Sequence, residues 1–169
     1  AVYAAKGRPS DNPLILHIAD MSALRDIAED IPEAAVDLAE AFWPGPITLV
    51  LKKRKVVSST VSGGLDTVAV RMPDNDLART LIRAVGHPLA GPSANLSGRP
   101  SPTMAAHVEH DFGDHIAGVV DGGTCRVGVE STIVDLTVQP YAILRPGGIP
   151  REKIEALIGS VTEAAPLGD

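Results

Sequence analysis

Lys6 and Arg8 stand two residues apart in Lys6-Gly7-Arg8-Pro9, a stretch that continues to Asn12-Pro13. Proline holds such a backbone open and removes amide donors, so the two cations are displayed on an extended loop. A phosphate ligand suits that display; an ordinary solvated turn, with Lys and Arg near the C-terminus of a preceding helix, suits it too. Two further arginines fall at strand ends, Arg71 ahead of Met72-Pro73 and Arg145 ahead of Pro146-Gly147-Gly148. An arginine there is commonly just solvated, but with Arg8 the two would supply the multidentate guanidinium grip that carboxylates and phosphates take.

Gly91-Pro92-Ser93-Ala94-Asn95 follows an apolar run and carries short hydroxyl and amide groups, which bind polar ligands at the end of a strand or serve a plain connecting turn. It resembles loosely the G-x-S-x-G elbow of serine hydrolases, but Asn95 stands where that motif needs glycine and no Asp and His complete a triad. Glu130-Ser131-Thr132 opens another strand with two hydroxyls, which in most strands satisfy edge hydrogen bonds. Lys52-Lys53-Arg54-Lys55 is the one basic run, either an RNA phosphate contact or a solvated strand end. His107, His110, Asp111, Asp114 and His115 lack a full ligand pattern and read as a polar helix end, so no metal site is assigned. Cys125 beside Arg126 has no histidine near it in sequence and reads as a bystander.

These residues need elements to hold them. Strand-length apolar runs occur at Leu14 to Ile18, Ile47 to Lys52, Thr67 to Met72, Pro88 to Gly91, Ala117 to Asp121, Ser131 to Leu136 and Tyr141 to Leu144. Helical spacing lies between them. One helix starts at Ser22, one after Pro32 and stops at Pro44-Gly45, one carries Leu77, Leu81, Ile82 and Val85 up to Gly86, one is capped by Thr103, and one opens at Pro150. Ala1 to Ala5 read as the tail of a helix already under way. Alternating strands and helices predict an α/β layered domain with a largely parallel or mixed sheet, whose ligand sites lie in loops at strand ends.

The chain has 169 residues, 44% hydrophobic and 21% charged, which predicts one globular domain with a core needing no staple. A net charge of −6 and 3% aromatics disfavour a molecule whose whole surface grips nucleic acid. The single cysteine fits a reducing compartment, and no leader or apolar span of about 18 residues is evident, so a cytoplasmic protein without a membrane partner is expected.

KGRPSDNPLILHI, FWPGPITLVL, TVAVRMP, GPSANLSGRPSPT, ESTIVDL and ILRPGGI, in this order and spacing, closely resemble the YrdC-like L-threonylcarbamoyladenylate synthase family. The resemblance covers about residues 2 to 158. It implies a twisted mixed α/β sheet flanked by helices around a deep cavity, with residues 1–158 as the catalytic domain and 159–169 as a tail or linker. The family's upstream strand and loop, P-T-E-T-V-Y-G-L, has no counterpart here, so an incomplete N-terminal portion is expected.

The activity implied is synthesis of a threonylcarbamoyl adenylate from L-threonine, bicarbonate and ATP, releasing pyrophosphate, for threonylcarbamoyladenosine in tRNA. By the same resemblance Lys6 and Arg8 are the catalytic pair. Lys6, Arg8, Asn12, Thr67, Asn95, Thr103 and Arg145 face ATP; His17, Arg71, Ser93 and Ser131 face threonine. Mg²⁺ would accompany the phosphates, and tRNA or a tRNA-modifying transferase complex would be a partner. Two other readings stand beside it, a carbamoyl-transfer domain of the hydrogenase-maturation type and a non-catalytic RNA-binding paralogue.

Overall fold

The computed structural model describes residues 2–164. Seven strands, β1 (Ile15–His17), β2 (Ile47–Lys52), β3 (Thr67–Arg71), β4 (Leu89–Ala90), β5 (Thr132–Asp135), β6 (Ala142–Arg145) and β7 (Thr162–Glu163), form one mixed sheet in the order β4-β1-β3-β2-β5-β6-β7. The helices are α1 (Val2–Lys6), α2 (Leu24–Ile27), α3 (Glu33–Phe42), α4 (Ser59–Ser62), α5 (Asp76–Val85), α6 (Ala105–Phe112) and α7 (Arg151–Ile158).

Period-two alternation decides which face is which. In β3, Val68 and Val70 are buried while Thr67, Ala69 and Arg71 face the other way; in β1, Leu16 is buried between Ile15 and His17. The buried side joins Leu38 of α3 and Ile154 of α7 in one core, and these two helices pack on each other. The central β2 is buried from Ile47 to Leu51, as a strand covered on both faces must be. Asn75 caps α5 by accepting the Ala78 N–H at 2.9 Å, and Gly86, at φ 79°, ends it in the left-handed conformation.

Four expectations change. Residues 117–121 form no strand: the sheet positions are filled by other segments, and with Gly118, Gly122 and Gly123 around them Val119 and Val120 run through an irregular loop. Thr103 does not cap α6; Met104 occupies that position, and the Thr103 N–H donates to His107 Nδ1 at 3.3 Å. Ser22 lies inside a 3₁₀ turn ahead of α2. The chain past α7 does not leave the fold, because Val161 is buried and β7 pairs in parallel with β6; residues 165–169 lie outside the described ones. No described helix is long and apolar enough to cross a membrane.

Candidate functional site

Topology gathers the chemistry at one sheet edge. β1 runs parallel to β3 with His17 opposite Arg71. β2 is antiparallel to β3, β5 parallel to β2 and β6 antiparallel to β5. The ends of β1, β3 and β6 therefore meet the start of β5, so that His17, Arg71, Arg145 and Ser131 converge from distant parts of the chain.

They line a cavity of about 640 Å³, together with Arg8, Ser93 and Thr103. A second recess of about 840 Å³, between the start of α5 and the loop 120–129, shares Arg71 and Cys125 with it. Three other expected residues, Lys6, Asn95 and Asn12, are not among the lining residues, the first two being buried and the third exposed. Lys6, 6% exposed, ends α1, and its ammonium donates to the carbonyl oxygens of Ser93 and Asn95. The buried Asn95 amide donates to the Leu96 and Arg99 carbonyls at 3.0 and 2.7 Å. Asn12 Oδ1 accepts from Arg8 Nη2 at 2.6 Å, and the same nitrogen reaches the Pro13 carbonyl at 2.9 Å. Thr67 is apart from all of these, at the opposite end of β3 from Arg71 and opposite Lys52 in the ladder.

Arg145 Nη2 donates to the Ser131 carbonyl at 2.9 Å and to its Oγ at 3.1 Å, while Nη1 pairs with Glu130 at 2.6 Å. Arg71 makes one hydrogen bond among the described residues, from Nε to the Gly45 carbonyl at 3.1 Å, which leaves both terminal nitrogens for a ligand. Burial lowers the Arg8 and Arg71 pKa values, and Arg145 pushes each further down. Burial, then Arg8, does the same to Lys6. Among the described lining residues Glu130 is the one carboxylate, and it is shared between Arg145 and the Ser101 hydroxyl. A chain of net charge −6 thus concentrates positive charge in this cavity, the arrangement that receives an anion.

His17 is held below the ordinary histidine range, first by burial and then by Arg71, so at neutral pH it is an uncharged imidazole. The unfolded chain therefore takes up this proton first. The stabilising contribution is present above about pH 6.5 and is lost as pH falls through the lower folded value. Between pH 7.5 and 5 the unsubstituted chain should lose more unfolding free energy in urea than His17→Gln does; equal losses would contradict the assignment.

The cavity also contains residues that sequence reasoning assigned no role. Glu130 reads as the opening of a strand, Cys125 as a bystander although it lines both recesses, and Arg99 is oriented by Asp111 at 2.7 Å. Thr48, fully buried in β2, meets Ser131 Oγ at 2.7 Å across the β2–β5 pairing. No local signal marks a contact between residues so far apart. In the basic run, Lys52 pairs with Asp30 and Glu29, and Arg54 Nε donates to the Ala28 carbonyl, as in a strand end tied to its neighbours.

Gly147 keeps the start of β5 in place. A Cβ there would sit 2.5 Å from the Ser131 carbonyl carbon and from Thr132 N, and against the Glu130 carbonyl oxygen, all of it backbone that cannot swing away. Gly147→Ala should cost about 3 kcal/mol in chemical denaturation, since overpacking forces the backbone itself to move. An unchanged midpoint would contradict this close approach.

A family model named Sua5_yciO_yrdC, described as telomere recombination, matches residues 1–147. The chain is 56% identical over 160 residues to the threonylcarbamoyl-AMP synthase of Pyrococcus abyssi (strain GE5 / Orsay), covering 95% of this chain and 47% of that protein. To the threonylcarbamoyl-AMP synthase of Bacillus subtilis (strain 168) it is 54% identical over 169 residues, covering 99% and 49%. The crystal structure of P. abyssi Sua5 complexed with L-threonine matches at a TM-score of 0.94 and 55% identity, over 96% of this chain and 48% of that one. The chain spans about half the length of the curated relatives it matches.

Proposed function

This chain belongs to the Sua5_yciO_yrdC family, and on that footing we propose that it carries a threonylcarbamoyl-AMP synthase domain. The observation that carries the reading is the convergence of Arg8, Arg71 and Arg145 on a cavity with one engaged carboxylate, beside the His17 imidazole and the hydroxyls of Ser93, Ser101 and Ser131. Guanidiniums suit the triphosphate and the threonine carboxylate; hydroxyls and imidazole suit the small polar amino acid.

In this reading the threonine amine adds to bicarbonate, losing water, to give a carbamate. A carbamate oxygen then attacks the α-phosphorus of ATP in line; the new P–O bond forms as the bond to pyrophosphate breaks, and pyrophosphate carries away the electron pair. The transfer needs no protein nucleophile. Positioning, cationic stabilisation of the phosphates and exclusion of water from a labile carbamate supply the catalysis. Arg71, with its free nitrogens, and Arg145, tied to Ser131, hold the anionic groups; Ser93 and Ser131, both lining the cavity, hold the amino acid.

Among the described residues no three potential ligands gather around a metal position, and Glu130 is engaged. Magnesium would therefore enter with the triphosphate, held mainly by substrate phosphates and water, where it would offset phosphate charge. The adenylate would then pass to a transferase acting on tRNA, in the cytoplasm where ATP and tRNA are at hand.

The test is pyrophosphate release from ATP by the full-length protein with threonine and bicarbonate each present or omitted. Release that needs both is the expected result. Release indifferent to threonine, or stimulated by carbamoyl phosphate instead, would overturn the reading.

A further inference from the structure

The contact between Thr48 and Ser131 has a direction, and hydrogen-bond bookkeeping supplies it. Thr48 is 0% exposed, and among the described residues its hydroxyl has one partner, Ser131 Oγ at 2.7 Å. A hydroxyl has one proton to donate and two lone pairs to accept with. Were Ser131 the donor, the Thr48 proton would be left in the core with no acceptor, the costly arrangement for a buried polar group. With Thr48 donating, its proton is satisfied and Ser131 Oγ accepts twice, from Thr48 and from Arg145 Nη2 at 3.1 Å. Both Ser131 lone pairs are then occupied. Its own proton is the one group left over, on a residue that lines the cavity.

We propose that Thr48 is a positioning residue that fixes Ser131 as a hydrogen-bond donor into the cavity, and so selects an oxygen acceptor on the bound amino acid or its carbamate. A donation from Thr48 and a second from a guanidinium draw electron density from Ser131 Oγ and strengthen its own O–H as a donor, the cooperative effect expected of hydrogen bonds in series. β2 and β5 are parallel neighbours with Ile47 opposite Thr132 and Thr48 opposite Ile133, so Thr48 is set by a central ladder and Ser131 directly precedes the first residue of that ladder on β5. Such a site is held to the tolerance that binding geometry needs. The inference rests on the synthase reading for the identity of the acceptor, but the direction of the hydrogen bond follows from burial alone.

The experiment measures the Kd for L-threonine by calorimetry with the full-length protein, and pyrophosphate release beside it. Thr48→Val removes the hydroxyl at nearly constant volume, Thr48→Ser keeps it, and both are compared in the native and the Ser131→Ala backgrounds. Thr48→Val should weaken threonine binding about tenfold, with Thr48→Ser close to the unsubstituted protein, in line with the cost of disturbing a hydrogen bond to a charged acceptor. In the Ser131→Ala background Thr48→Val should have no further effect on binding, because its route to the ligand is gone. Thermal unfolding provides the second measurement: Thr48→Val should be less harmful, or stabilising, once Ser131→Ala has left the Thr48 proton unpaired. An unchanged Kd in folded Thr48→Val, or losses that add across the two positions, would overturn the proposal. An unsubstituted protein that binds no threonine would overturn the synthase reading, and the assigned acceptor with it.

Discussion

Arg71→Met is expected to cut pyrophosphate release by about 10²–10³-fold while moving stability by less than about 1 kcal/mol. The loss of rate follows from what the side chain leaves free. Its Nε is tied to the Gly45 carbonyl at 3.1 Å, which aims the guanidinium, and its two terminal nitrogens have no partner among the described residues. A planar fork aimed in advance and facing a cavity is what an incoming carboxylate or phosphate requires. The small change in stability comes from two offsetting effects. The lost hydrogen bond costs about 1 kcal/mol. Against it, the substitution removes a partly buried cation that Arg145 repels, as the lowered pKa of Arg71 indicates. Arg71→Lys keeps the charge but not the fork and should recover only part of the rate. The His17 titration provides an independent readout: with the neighbouring charge removed its pKa should rise, observable by NMR. Turnover within tenfold of the unsubstituted protein would remove Arg71 from the site, and a large fall in the unfolding midpoint would show its role to be structural.

Lys6→Met should damage fold and activity together, by about 2–4 kcal/mol in urea unfolding with release reduced at least tenfold. Lys6 is buried at the end of α1, and its ammonium spans the carbonyls of Ser93 and Asn95, almost ninety residues away in sequence. Removing it leaves two acceptors without their donor and releases the loop that presents Ser93 to the cavity. Arg8→Gln is the contrast. Arg8 lines the cavity and its bonds to Asn12 and Pro13 are local, so turnover should fall far more than stability. If both substitutions behaved alike, the division of the Lys-x-Arg pair into one tether and one ligand contact would be wrong.

Much of the framework is legible in the residues alone. Strand-length apolar runs placed β2 and β3, Asn75 and Gly86 delimit the helix read from Leu77 to Val85, and the arginines at strand ends did face one cavity. Short-range signals of this kind work because side-chain period and capping chemistry are local properties. They failed where a segment's state depends on partners. Val119 and Val120 carry β-branched side chains suited to a strand, yet the neighbouring sheet positions belong to other segments. Thr162–Glu163 has no strand signature and becomes one because β6 offers an open edge.

The residue types by themselves determined a chemistry suited to anions in loops of an α/β sheet, with solvated turns and strand ends as the open alternative, since guanidinium, ammonium and hydroxyl groups have that chemistry wherever they are put. Only the tertiary structure decided which of them share a cavity and in what roles. It buried Lys6 as a tether, kept Thr67 at the far end of its strand, set Glu130 among the arginines and placed Thr48 under Ser131. Those roles depend on strand order and register, which sum many weak contacts between distant segments, and on burial, which decides whether a polar group must find a partner inside the protein or remains free for a ligand.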